Sequence, residues 1–237
     1  SRSNPRAGVQ ENKFIRAPAA ARMGLSLGVG ELLVREARRV IELYVLKGER
    51  APIAAQLPEL EQRRGAFVSL YALQGGRRAL RGCMGLPEPE GPLRQALALA
   101  ALSACRDPRF EPLRAEELGN VVLEVSVLTP FRLLQGRPLS FPYLIRVGVH
   151  GLFVAQGPFQ GLLLPQVAVE ERWDAEDFLC NACMKAGLPP DAWLTGARVY
   201  IFGADVFAEE SPGGPVRRLM QAEEALTAGE VGPRGHG

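Results

Sequence analysis

The chain has 237 residues, of which 47% are hydrophobic and 23% charged, an ordinary balance for a globular protein that can bury a sizeable core. It has neither an apolar run near the ~20 residues that cross a bilayer nor a compact apolar signal segment, so we expect a cytoplasmic protein with no membrane partner. The formal net charge of +2 is uneven, because residues 1–23 carry +4, residues 209–237 carry −2 and the body between them is neutral. A neutral body lacks the basic face of a nucleic-acid-binding domain, although the positive segment could still contact phosphates.

Arginine outnumbers lysine by 25 to 3. Skewed genomic base composition and selection for guanidinium ion pairs at high temperature both explain this excess, and the sequence does not separate them. The four cysteines are too few for a disulfide scaffold. Cys180 and Cys183 form a C-x-x-C in a helical pattern, and we expect buried helix cysteines in preference to a disulfide or zinc site, because tetrahedral zinc needs two further ligands. No metal or cofactor is predicted.

Hydrophobic periodicity divides the chain into three parts. Residues 1–23 lack periodicity and predict a flexible basic arm, residues 24–208 form the folded domain, and residues 209–237 are predicted to be a linker and tail. The predicted elements of the first half are a helix from residue 30 to Gly48, a strand at 65–71, a turn at Gly75-Gly76, a strand at 78–81, a helix at 93–105 and a strand at 121–128.

The second half repeats this alternation of strands and helices. The predicted elements are a hairpin of 144–149 and 152–155 around His150-Gly151, a short helix from Pro165 to Glu171, a helix capped by Asp174, a strand at 198–207, a linker at 211–215 and a peripheral helix at 216–227. Interleaved strands and helices favour a layered α/β domain with a mixed sheet flanked by helices.

The segment Leu80-Arg81-Gly82-Cys83-Met84-Gly85 is the strongest candidate for chemistry. A cysteine leaving a strand between two glycines has an accessible backbone, and Arg81 would favour the thiolate if its guanidinium points toward the sulfur. The structural alternative is a tight turn in which Cys83 is a small buried hydrophobe. Phosphate-loop, zinc-helix and nucleophile-elbow motifs are absent from the sequence.

Three further groups of residues are polar and precede or follow predicted turns. Asp107 and Arg109 flank Pro108, and their alternative role is local hydrogen bonding in a turn. His150 is the only histidine of the body and can exchange a proton near neutral pH, although a turn role fits equally well. Gln166 and Glu170 lie on a polar edge after the apolar run 162–164.

These motifs together resemble a prokaryotic member of the AMMECR family. The resemblance spans about residues 25–208 in collinear order and rests on the segments 80–85, 107–110, 125–128, 150–152, 163–168, 173–174, 178–179 and 185–188, with Met84 where the family signature has isoleucine. It implies one compact α/β unit of a larger and a smaller subdomain, with the arginine–glycine–cysteine signature near the groove between them. Related domains that occur with Memo-type and radical S-adenosylmethionine proteins imply shared pathways without assigning a reaction.

Three functions remain open from the sequence. The first is an enzyme or small-molecule binder in the groove, with Cys83 as nucleophile or contact and His150 or Glu170 as acid/base. Its binding residues would be Arg81, Gly82, Gly85, Asp107, Arg109 and Gln166. The second is a non-catalytic adaptor that docks a protein partner in the same groove. The third, an RNA-associated protein, depends on the basic arm and has the least support.

Overall fold

The computed structural model describes residues 24–88 and 91–222, so the predicted basic arm and the tail beyond residue 222 lie outside the described residues. The strands are β1 Ala66–Gln74, β2 Arg77–Leu86, β3 Val121–Leu128, β4 Arg132–Leu133, β5 Gly151–Gln156, β6 Phe159–Leu163, β7 Arg198–Phe202, β8 Ala204–Glu209 and β9 Val216–Met220. The helices are α1 Leu27–Lys47, α2 Pro58–Glu61, α3 Leu93–Ala104, α4 Phe141–Leu144, α5 Pro165–Glu170 and α6 Ala175–Lys185.

The strands form two sheets, which confirms the α/β class. The first sheet has the order β2-β1-β3-β8-β9 and the second has the order β4-β7-β5-β6. All strand pairs in the described part of the chain are antiparallel, so two antiparallel sheets replace the single mixed sheet that we expected. No helix of residues 24–88 and 91–222 is long and apolar enough to cross a membrane.

Helices α1 and α3 cover one face of the first sheet. Helix α1 begins after Ser26, whose side chain accepts the amide of Val29, and ends at Gly48, which has a positive φ of 72°. The apolar stripes of both helices pack on the alternate residues of β1 and β3 that face them. The two helices, the hairpin and the strand at 121–128 that were predicted for the first half are confirmed.

Helices α4, α5 and α6 pack on the outer face of the second sheet, through a core that includes Phe178 and Ile201. Asp174 caps the start of helix α6 as predicted, because its Oδ1 accepts a hydrogen bond from the Asp177 amide at 2.9 Å. The inner faces of the two sheets meet in an aromatic cluster of Phe131, Phe153, Tyr200 and Phe202 around Leu128. The result is four layers: helices, sheet, sheet and helices.

Three predicted elements were wrong. Residues 144–149 are no strand, because Gly148 has a positive φ of 82° and the amides of Val149 and His150 both donate to the carbonyl of Arg146. The predicted strand 198–207 divides at Gly203, where β7 of the second sheet passes into β8 of the first. The predicted helix at 216–227 begins instead as β9, which pairs with β8, so the first sheet continues past residue 208.

Candidate functional site

A row of polar side chains crosses the first sheet on the face away from α1 and α3. Leu123 and Val125 belong to the helix-facing core, so the side chain of Glu124 between them points to the opposite face. Ser69 pairs with Cys83 on one side and with Glu124 on the other. Directly opposed residues share a face, with Cβ atoms about 5 Å apart. We call Cys83, Ser69 and Glu124 the polar row.

The Cys83 thiol is held in its neutral form. Cys83 lies inside β2 and not at a strand-to-loop turn, and Ser69 Oγ donates to its Sγ at 3.1 Å. Burial raises the pKa of the Cys83 thiol, against smaller lowering effects from the Ser69 hydrogen bond and the charge of Arg109. The condition set for a thiolate stabilised by Arg81 is not met, because the Arg81 guanidinium pairs with Glu117 and the charge that favours the thiolate is that of Arg109.

Glu124 is the functional candidate that sequence reasoning missed. The residue is 7% exposed, and among the described residues no hydrogen bond to its carboxylate is formed. Burial raises its pKa to about 7, with Arg78 opposing and Glu170 adding to the rise. The signal available in the sequence was one carboxylate inside the otherwise apolar strand Val121–Leu128.

Helix α5 of the second subdomain brings Glu170 close to this row. Glu170 is exposed, yet its charge acts on both Glu124 and Tyr71 of the first sheet. Burial raises the pKa of Tyr71, and the charges of Glu124, Cys83 and Glu170 raise it further. Its phenol therefore remains a hydrogen-bond donor. Gln166 lies one helical turn before Glu170, and its Oε1 is buried without a partner among the described residues.

Asp107 and Arg109 bind the exposed edge of β2. The Asp107 carboxylate accepts the Cys83 amide at 2.9 Å and the Arg109 Nη2 at 2.6 Å. Arg109 also donates to the Cys83 carbonyl at 3.4 Å. The Arg109 guanidinium, together with the backbone amides of Cys83 and Arg109, holds the pKa of the Asp107 carboxyl well below its usual range.

Arg81 forms an ion pair with Glu117. Its Nε and Nη2 contact the two carboxylate oxygens of Glu117 at 2.7 and 3.0 Å. The Phe110 ring lies 6.0 Å from the Arg81 guanidinium carbon and 5.6 Å from that of Arg109. The two arginines therefore share one aromatic side chain beside β2.

The glycines of the signature are required for close packing. A Cβ on Gly82 would lie 2.4 Å from the carbonyl oxygen of Ala104, at the end of α3. A Cβ on Gly85 would lie 2.4 Å from the ring of Phe67 on the paired strand. Close packing therefore accounts for both glycines, and the binding role predicted for them stays a prediction.

His150 and the C-x-x-C lie in the second subdomain. His150 is 7% exposed, and its Nδ1 accepts the Arg146 amide at 3.1 Å, which closes its own loop. Cys83, Cys105, Cys180 and Cys183 are all free thiols. Cys183 is buried as expected, whereas Cys180 is only half-buried, on the more open side of α6. In the described residues no three His, Cys, Asp or Glu side chains are grouped to hold a metal ion.

The fold and this site define a two-subdomain α/β protein with a polar row between its sheets and α5. The AMMECR1 family model matches residues 34–207, and the chain belongs to that family. Protein PH0010 of Pyrococcus horikoshii is 51% identical over 193 residues, which cover 80% of this chain and 94% of that protein. A Pyrobaculum aerophilum protein is 45% identical over 194 residues, which cover 81% and 91%.

The same architecture occurs in a crystal structure of the uncharacterized protein PH0010. The two structures superpose with a TM-score of 0.77 and 47% sequence identity, covering 82% of this chain and 98% of that one. The two-sheet arrangement is therefore also that of an experimentally determined structure.

Proposed function

We propose that this protein binds a small molecule between the polar row and α5 and exchanges a proton with it through Glu124. The observation that carries the proposal is the Glu124 carboxylate, which accepts no hydrogen bond within the described residues although the residue as a whole is only 7% exposed. Its oxygens are not among the fully buried unpaired atoms of the described residues, so they retain some exposure on the polar row, where a ligand can reach them. A ligand donor would supply the hydrogen bonds that the described protein groups do not. A carboxyl with a pKa of about 7 can both donate and accept a proton near neutral pH.

The neighbours of Glu124 supply contacts for such a molecule. Cys83 acts as a neutral thiol and Tyr71 as a neutral phenol, because burial raises the pKa of each. Ser69 orients the Cys83 sulfur through its hydroxyl. Glu124 thus takes the acid/base role that the sequence suggested for His150 or Glu170, and Glu170 instead contributes its negative charge beside the polar row. We propose a cytoplasmic setting, since four free thiols suit a reducing compartment.

Native mass spectrometry of the full chain tests this function. The protein is incubated with the ultrafiltered small-molecule fraction of a cell extract, then desalted and weighed. We expect the wild type and the exposed control variant Glu210→Gln to retain the same added mass, and Glu124→Gln to lose it. Equal retention by Glu124→Gln would place the bound molecule elsewhere and refute the proposal.

A protein-docking role is the second candidate, and exposed apolar side chains favour it. Leu139, Tyr143 and Val169 are 73%, 89% and 56% exposed around α4 and α5. If that role is correct, no small molecule is retained, and substitution of Tyr143 by Ser rather than of Glu124 abolishes capture of a protein partner.

A further inference from the structure

We infer that the ligand carries one positive charge on an ammonium or guanidinium group, which lies between the carboxylates of Glu124 and Glu170. This inference rests on the proposed function and names the class of molecule that the site takes. The two carboxylates come from different subdomains, one from β3 and one from α5. A ligand between them would therefore join the two halves of the protein.

The charges around the polar row leave one carboxylate in excess. The groups whose charges act there are Glu124, Glu170, Arg78 and the pair of Asp107 with Arg109. The Asp107–Arg109 pair is neutral, with two guanidinium nitrogens on the two carboxylate oxygens. Arg78 offsets one further negative charge, although its Nη2 already donates to the Glu209 carbonyl at 2.8 Å. With both glutamates ionised, a single cation would neutralise the site.

The hydrogen-bonding groups also favour a donor. When ionised, the Glu124 carboxylate offers acceptors only. The residue is 7% exposed, and no group of the described residues donates a hydrogen bond to that carboxylate. The unpartnered Gln166 Oε1 is a further acceptor, on the side of α5 that carries Glu170. Ammonium and guanidinium groups have N–H donors and no acceptor, so they complement these oxygens. An anion would add a third negative charge beside two carboxylates.

Solution NMR of the full-length, ¹⁵N-labelled protein at pH 8 provides the test. The probes are n-propylammonium chloride and methylguanidinium chloride, compared with n-propanol, sodium acetate and sodium chloride at equal ionic strength. We expect at least one of the two cations to shift the amide signals of Ser69, Cys83 and Glu124 saturably, and the three controls to leave them in place.

Variants decide whether the carboxylates bind the cation. Glu170→Gln should weaken the binding about two- to fivefold, as for a partly exposed ion pair, and Glu124→Gln by at least about tenfold, as for a buried charged contact. The adjacent exposed Glu171→Gln is the matched control and should leave the affinity unchanged.

Three kinds of result would overturn the inference. If acetate or propanol shifts the three amides and the cations do not, the site still binds small molecules but not cations, and the proposed function stands. The cation inference is equally overturned if a cation binds with the same affinity to the wild type, Glu124→Gln and Glu170→Gln. If no probe shifts the three amides, the inference fails here, while the mass measurement above decides the proposed function separately.

Discussion

The carboxylate of Asp107 accepts the backbone amide of Cys83 at 2.9 Å, at the edge of the first sheet. Strand β2 is that edge, because the sheet order begins with β2-β1. Arg109 donates to the carbonyl of the same cysteine, so the two side chains occupy the hydrogen-bonding positions of a missing neighbouring strand. This contact fixes the loop after α3 against the signature segment.

Substitution of Asp107 by Asn should destabilise the protein by about 2 kcal/mol near pH 7, since charge-assisted hydrogen bonds to a buried carboxylate are lost. The pKa of Asp107 is depressed in the folded state. Its stabilisation is therefore present above the ordinary carboxyl pKa and disappears as the pH falls through the depressed value. Urea unfolding from pH 7 down to pH 3 should show the difference from wild type shrinking. The exposed Asp191→Asn is the control, and a pH-independent loss would contradict the charge argument.

Glu124→Gln should stabilise the protein at alkaline pH. The folded pKa of Glu124 is raised from 4.5 to about 7, so the wild type loses stability as the pH rises through this window and retains it below. Glutamine resembles the protonated acid, and the variant should gain up to about 3 kcal/mol at pH 8 and about nothing at pH 4. Thermal or urea unfolding at several pH values measures this, with Glu210→Gln as control. A variant less stable than the wild type at pH 8 would mean that the carboxylate is paired in solution.

Cys83 should react slowly with iodoacetamide near neutral pH and reach its full rate only at a higher pH than a free thiol, because burial raises the pKa of its thiol. Arg109→Gln should raise the pKa further and Glu124→Gln should lower it, because one charge favours the thiolate and the other opposes it. Arg81→Gln is the control and should leave the profile unchanged, since Arg81 pairs with Glu117. Site-resolved mass spectrometry gives the rates. A plateau already reached at pH 7 would restore the thiolate hypothesis.

Gly82→Ala should lower the free energy of unfolding by about 1–3 kcal/mol. The added methyl group would lie 2.4 Å from the carbonyl oxygen of Ala104, so β2 and the end of α3 must separate. Gly28→Ala in the first turn of α1 is the matched control, because a methyl group added there would have no atom within 4 Å. The control should be neutral or stabilising by up to about 1 kcal/mol. Denaturant titration compares the two variants, and equal stabilities would show that β2 has room for a side chain.

Local patterns in the sequence determined those helices and turns whose signals lie within one short segment. Helical spacing of apolar residues gave α1 and α3 their stripes, Asp174 marked the start of α6, and the glycine pair 75–76 marked the first hairpin. These signals lie within a few residues of each other, so backbone geometry and burial act on them directly. Segment 216–220 was misassigned, because so few residues fit a helix or a strand almost equally well. The strand predicted at 144–149 was wrong for a different reason, since Gly148 adopts a positive φ and the segment turns.

The tertiary structure alone decided the site. Cys83 and Arg81 lie in one segment of the sequence, but Arg81 forms an ion pair with Glu117. The Cys83 thiol accepts a hydrogen bond from Ser69, which lies fourteen residues away on the neighbouring strand. Glu124 joined them only through the register of β1 with β3, and Glu170 only through the packing of a second subdomain. Register and subdomain packing depend on contacts between distant residues. The pKa of each group then follows from the burial and charges that those contacts create, which is why spacing along the chain predicted the residues near the site and not their chemistry.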